Sequence, residues 1–104
     1  MVNPLAGEVE IVIDGVPHCC KLTLGAMAEL ESSLGAQSMV DLVACFEAGK
    51  FSSRDVLALI VAGLRGGGWT GTSADLLKAD IAGGAVGAAK VAALLLVRAF
   101  APPS

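Results

Sequence analysis

Apolar and polar positions change their period along this chain, and each change marks an element. From Glu8 to Ile13 they alternate, with Val9, Ile11 and Ile13 on one side, the period of a half-buried strand. Asp14 and Gly15 follow as a two-residue hairpin signal. Folding back there pairs Ile13 with Val16, Val12 with Pro17, Ile11 with His18 and Glu8 with Lys21. In this register Pro17 falls at a non-hydrogen-bonded position, where its missing N–H removes no cross-strand bond. Glu8 facing Lys21 is a favourable cross-strand pair. Val16, Cys20 and Leu22 then join Val9, Ile11 and Ile13 on the inner face, with His18 among them. A two-stranded ribbon is marginal alone, so it must lie on helices or gain strands from another subunit.

Beyond the hairpin the period becomes helical. Thr23 is placed to cap a helix over 24–34, with Met27, Leu30 and Leu34 inward and Gly35 ending it. Ser38, with Asp41 three residues on, opens a helix over 39–48, with Val40, Val43 and Cys45 or Phe46 inward and Gly49 as the stop. The central element starts at Ser52, whose capping partner is Asp55, with Phe51 and Val56 as a hydrophobic staple. Apolar residues at 56, 57, 59, 60, 61 and 64 cover nearly every side of it, and Arg54, Asp55 and Arg65 stand only at its ends, so its middle is expected to be buried. Gly66 is expected to end it in a left-handed conformation. Thr72 or Ser73, with Asp75, opens a short helix to about residue 79. After Gly83 and Gly84 a last helix runs to about residue 100, where Pro102 and Pro103 forbid continuation. Gly87, Ala88, Ala89, Ala92 and Ala93 give it a smooth side open to close approach by a neighbour. The fold class is α+β: an N-terminal β-hairpin packed on four to five short α-helices, as a single domain over 1–104.

At 104 residues such a domain can bury a core without disulfides or metal. Its core is aliphatic, since hydrophobic residues make up 55% and aromatic ones only 4%. Charge is unevenly placed. Residues 1–48 carry Glu8, Glu10, Asp14, Glu29, Glu31, Asp41 and Glu47 against Lys21, a net of -6; residues 49–104 carry Asp55, Asp75 and Asp80 against six bases, a net of +3. This asymmetry permits head-to-tail association into a homo-oligomer, steered by charge and weakened by salt. Net charge is -3 and no basic patch interleaves with aromatics, so nucleic acid is not an expected partner. Three cysteines without a pairing pattern point to a reducing, cytoplasmic setting, and no signal peptide is read at the N-terminus. The most apolar stretch, residues 81–100, carries Lys90, Arg98 and three glycines and does not read as a membrane span.

Candidate chemistry is sparse. His18, Cys19, Cys20 and Cys45 are the only constellation with metal-binding residue types, but a strand turns Cys19 away from His18 and Cys20. They read as packed or edge side chains. The run from Arg65 to Thr72 contains glycines before a helix, yet it lacks a P-loop lysine and follows a helix rather than a strand. It reads as a helix stop and loop, with Trp69 either folded back on the core or serving as an anchor for a partner. One histidine and no tyrosine offer no nucleophile–base–orienter set. No catalytic, cofactor-binding or metal-binding residue is assigned, and the reading is a non-enzymatic interaction module.

The segments 3–9 (NPLAGEV), Asp14 with Gly15, 22–31 (LTLGAMAELE), 51–55 (FSSRD) and 62–68 (AGLRGGG) together resemble the small tail-cluster protein of gene transfer agents, phage-like bacterial particles that package host DNA. The family is also similar to the tail assembly chaperones of long-tailed phages, and is elsewhere described as a tail tube protein. The resemblance spans nearly the whole chain, and its motifs are caps, turns and core rather than a catalytic signature. His18, Cys19 and Cys20 depart from ordinary strand residues, and Trp69 sits in a variable part of the loop; no role is carried over to them. The resemblance implies tail morphogenesis. A chaperone would bind the tape-measure protein, keep it soluble, and be displaced as the tail tube protein polymerises. The alternative it implies is a structural tail tube or terminator component.

Overall fold

The computed structural model describes residues 7–33 and 38–100 of the chain. Within them a two-stranded antiparallel hairpin, β1 (Glu8–Ile13) and β2 (Val16–Lys21), precedes five helices: α1 (Leu24–Ser33), α2 (Met39–Glu47), α3 (Ser53–Gly66), α4 (Ser73–Leu77) and α5 (Gly84–Ala99). This is the expected α+β architecture. The expected roles of Leu34, Gly35, Pro102 and Pro103, and the first four residues of the 3–9 motif, lie outside the described residues.

The hairpin takes the predicted register, from Ile13 opposite Val16 to Glu8 opposite Lys21. Asp14 at φ 51° and Gly15 at φ 80° make the tight turn, whose positive angles match the twist of the strands. Val9, Ile11, Ile13, Cys20 and Leu22 are buried, whereas Val16 is 54% exposed. The expectation for Val16 fails because α3 meets β2 at the far end of the strand, around Cys19, Cys20 and Lys21, and leaves the turn end uncovered.

Three of the helix starts follow their capping signals. Thr23 Oγ1 accepts from the Ala26 N–H at 3.0 Å, and both Ser38–Asp41 and Ser52–Asp55 form reciprocal capping boxes. At α4 the start resolves to Ser73 with Thr72 as N-cap, the Asp75 carboxylate accepting the Thr72 N–H at 2.8 Å. On α1, Leu30 and Ala26 are buried and Met27 is partly so. On α2 the inward residues are Met39 and Leu42, with Val43 and Phe46 half-buried; Val40, expected inward, is 75% exposed. Nearly every residue of α2 is apolar, so periodicity alone could not choose its buried face.

Helix α3 is central, touching β2, α1, α4 and α5, and it buries Leu59, Ile60, Ala62, Gly63 and Leu64. Its end corrects an expectation. Gly66 is still helical; Gly67 is the C-cap and Gly68, at φ 102°, is the left-handed residue. The Trp69 N–H reaches the Leu64 carbonyl at 2.8 Å and the Gly68 N–H reaches that of Arg65 at 3.0 Å, which is a Schellman stop. Gly66 and Gly67 are needed for a different reason. The carbonyls of Lys21 and Cys19, on the outer edge of β2, lie directly against them, and a methyl group at either position would overlap a carbonyl oxygen.

The other edge of the hairpin is met by the chain between α4 and α5. Asp14 N–H donates to the Asp80 carbonyl at 2.8 Å, Asp80 N–H to Asp14 Oδ1 at 2.9 Å, and Ala82 N–H to the Val12 carbonyl at 3.0 Å. Ile13 and Ile81 form a bridge there, and Arg98 Nη1 donates to the Glu8 carbonyl. The hairpin thus rests on helices and this short segment. Helix α5 buries Ala88, Ala92, Leu95 and Leu96. A methyl at Gly63 would sit 2.8 Å from Leu95 Cδ1 and 3.2 Å from Cys20 Cβ, so α3, α5 and β2 converge closely at that point. Of the smooth side of α5, Ala88 and Ala92 are buried within the chain, while Gly87, Ala89 and Ala93 are half-buried.

Gly66→Ala separates the two accounts of this glycine. Helix propensity favours alanine by about 1 kcal/mol; the overlap with the Lys21 carbonyl should instead destabilise by about 2 kcal/mol or more. Urea unfolding should show that loss. Gly15→Ala, with no atom nearby, should lose only the turn's conformational strain, roughly 1 kcal/mol.

Candidate interaction surface

Residues with chemical potential are kept apart or buried by the secondary structure that carries them. His18 and Cys19 are half-buried on β2, Cys20 is fully buried beside them, and Cys45 sits half-buried on α2. Burial pushes the Cys20 thiol up from 9.0 to about 12, with the neighbouring Cys19 adding to the rise. Cys19 is also raised, by burial first and then by the Glu8 carboxylate. Both shifts favour the protonated thiol over the nucleophilic thiolate. Among the described residues no group of three or more His, Cys, Asp or Glu side chains is placed to hold a metal ion.

The glycine run after α3 offers no phosphate cradle. The N–H groups of Gly67, Gly68 and Trp69 all point back to carbonyls of the last turn of α3, so none is left to bind an anion. Trp69 is half-buried against the core, and Gly71 lies so close to its indole that a methyl there would overlap the ring. It occupies the position after the left-handed residue, where an apolar side chain commonly closes a Schellman stop.

What the structure assembles instead is apolar surface along α5. One groove of about 340 Å³ lies between α2 and the end of α5, lined by Val43, Phe46, Ala93, Leu96, Val97 and Phe100, with Glu47 its only charged residue. A second, of about 300 Å³, lies between the start of α3 and the first half of α5, lined chiefly by Phe51, Val56, Ile60, Ile81, Ala85 and Ala89. Phe46 of the first groove and Phe51 of the second stack face to face, ring centroids 4.5 Å apart and planes 6° from parallel. The stack joins the two grooves. Val97, Phe100 and Phe51 remain 64%, 50% and 37% exposed. Sequence reading singled out Phe51 as a staple and Phe46 as an inward residue, but not their stack. Their proximity depends on how the turn between α2 and α3 is closed, where the Lys50 N–H reaches the Cys45 carbonyl at 2.8 Å.

A third depression, of about 260 Å³, lies between α1, α3 and α4 and is of mixed character. Its floor is apolar, and Arg54, Arg65 and Glu29 stand around it. Arg65 pairs with Glu29 and donates through Nε to the Gly71 carbonyl at 3.4 Å; Arg54 Nη2 donates to the Ser33 carbonyl at 3.5 Å. No helix among the described residues is long and apolar enough to cross a membrane.

Against known proteins, a family model described as "Phage tail tube protein, GTA-gp10" matches residues 6–102. No curated protein and no solved structure matches the chain.

The buried thiol makes a pH prediction. Below 9.0 Cys20 is protonated whether folded or not, and its burial carries no alkaline penalty; between 9.0 and about 12 only the unfolded thiol ionises. Stability should therefore fall as pH rises through that window, this one group contributing on the order of 1 kcal/mol per pH unit. Denaturant midpoints from pH 8 to pH 11 should slope less steeply in Cys20→Ala than in the wild type. In the native state Cys20 should resist a thiol reagent that modifies Cys45.

Proposed function

The chain belongs to the family of the gene transfer agent phage tail tube protein, GTA-gp10, and on that premise we propose that it serves tail morphogenesis as an assembly chaperone, without catalysis. Its client is the tape-measure protein, a long helical rod that must stay soluble until the tail tube protein polymerises around it. The observation that carries this reading is the pair of apolar grooves along α5, joined by the Phe46–Phe51 stack. An amphipathic helix lays its apolar stripe into such a groove and anchors at positions one turn apart. With Glu47 as the one charged lining residue of the first groove, the surface selects for apolar content more than for sequence, which suits a client with many similar helical segments. Assembly takes place in the cytoplasm of the producing cell in this reading, and the 104 residues act as one domain.

A second reading is favoured by the family's own description: the chain is a permanent tail tube subunit. The two-stranded sheet speaks for the chaperone, since tube walls are commonly built from more strands than this hairpin supplies. Copy number distinguishes the two. Mass spectrometry of purified particles should find a chaperone absent or far below stoichiometry, whereas a tube subunit would appear in a fixed multiple copy.

Co-expression with the tape-measure protein tests the client directly. The full chain should co-purify with it, and Val97→Asp, a change at an exposed position of the first groove, should lose at least about tenfold in capture by placing a charge in an apolar contact. Its thermal midpoint should stay within a few degrees of the wild type. Full retention of capture in Val97→Asp and in Phe100→Asp would remove the groove from the proposal.

A further inference from the structure

The depression between α1, α3 and α4 has a complement elsewhere on the same chain. Arg54 and Arg65 stand three helical turns apart on one face of α3, about 16 Å along its axis, with Leu30, Leu57, Val61 and Ala62 as apolar floor between them. Arg65 shares its charge with Glu29, while Arg54 has no carboxylate partner among the described residues. The outward face of α2 bears the opposite pattern. Val40, Ala44 and Ala48 line up one turn apart and are all exposed, Val40 at 75%; Asp41 and Glu47, also exposed, flank that line on either side.

We propose that the α1–α3–α4 depression receives the outward face of α2 from a second copy of this chain. Helix α2 lies antiparallel to the neighbour's α3 in this contact. Glu47, in its last turn, then meets the neighbour's Arg54, in the first turn of α3, while Asp41 points toward the Arg65 end. The line of Val40, Ala44 and Ala48 covers the apolar floor, and its small residues allow the two helices to approach closely. The charges set direction and register; the apolar area supplies most of the affinity. Because donor face and acceptor depression share no residue, the contact is heterologous, and repetition closes a ring or winds a helix of subunits. The contact does not depend on whether the tail role is that of chaperone or tube.

Charge reversal at the two partners tests it, and both changes suit the helices that carry them. Arg54→Glu puts an acid in the first turn of α3, and Glu47→Arg puts a base in the last turn of α2, so neither should impair folding. Sedimentation velocity of the full chain at increasing concentration should show association of the wild type that weakens between 50 and 500 mM salt, values chosen to bracket the Debye length of about 8 Å at physiological ionic strength. Each single reversal should weaken association about tenfold. The double reversal in one chain should restore it, and mixing the two single variants should also restore it, as an assembly in which the variants alternate. A monomer at every concentration and salt, or two single variants that associate like the wild type, would overturn the proposal. So would single variants that weaken without recovery in the double.

Discussion

The packing of α3 against the edge of β2 is the contact on which the rest of this structure depends. A hairpin of two six-residue strands cannot hold itself together in water, and this one gains its support by laying its outer edge on the glycine end of a helix. The Cys19 and Lys21 carbonyls reach so close to Gly67 and Gly66 that no side chain fits between. At that distance the Cα hydrogens of the glycines face carbonyl oxygens that would otherwise be open to solvent or to a passing strand. The same edge that would invite pairing with another chain is thereby covered. One turn earlier, Gly63 admits Leu95 and Cys20, so a single small-residue face of α3 receives both the hairpin and α5.

That arrangement explains where the apolar surplus goes. A chain with 55% hydrophobic residues and few aromatics fills its interior with short side chains, among them Ala62, Ala88 and Ala92. Once α3 is enclosed, its partners have apolar positions left over. Val86, Leu94 and Val97 on α5, Phe100 at its C-cap, and Val40 on α2 stay exposed. Apolar surface of this extent on a small domain marks contact with other proteins more than an isolated existence. Meanwhile the polar groups are used up locally. Asp41, Asp55 and Asp75 cap helices, Glu8 and Lys21 face one another across the hairpin, and the cysteines are divided between two elements with their thiols protonated where buried. What remains is a surface organised for assembly, in keeping with membership of a tail family.

The uneven charge of the two halves acquires a location in three dimensions. The acidic half contributes α2, whose exposed face bears Asp41 and Glu47; the basic half contributes α3, with Arg54 and Arg65 at its two ends. In the proposed contact between copies, charges at helix ends flanking apolar middles would steer the encounter without entering its core, which keeps desolvation costs low.

How much of this was legible in the sequence follows the distance over which each feature is decided. The Asp14–Gly15 turn, the strand register and the caps at Thr23, Ser38 and Ser52 each depend on residues within a few positions of one another, and the sequence by itself determined them. Burial of the middle of α3 was equally legible, because apolar residues on all sides leave no other choice. Features that join distant segments were decided only by tertiary structure. Gly66 looked like a helix stop, since nothing local signals a strand carbonyl from 45 positions earlier pressed against it. Val40 looked inward because α2 is apolar almost all round, and only contact with the core selects Met39 and Leu42 over it. Ile81 gave no sign that it would bridge to Ile13, since a single residue pair has no period to read. Local hydrogen bonding writes itself into adjacent residues; the choice among equally apolar faces is made by whichever partner the fold brings to them.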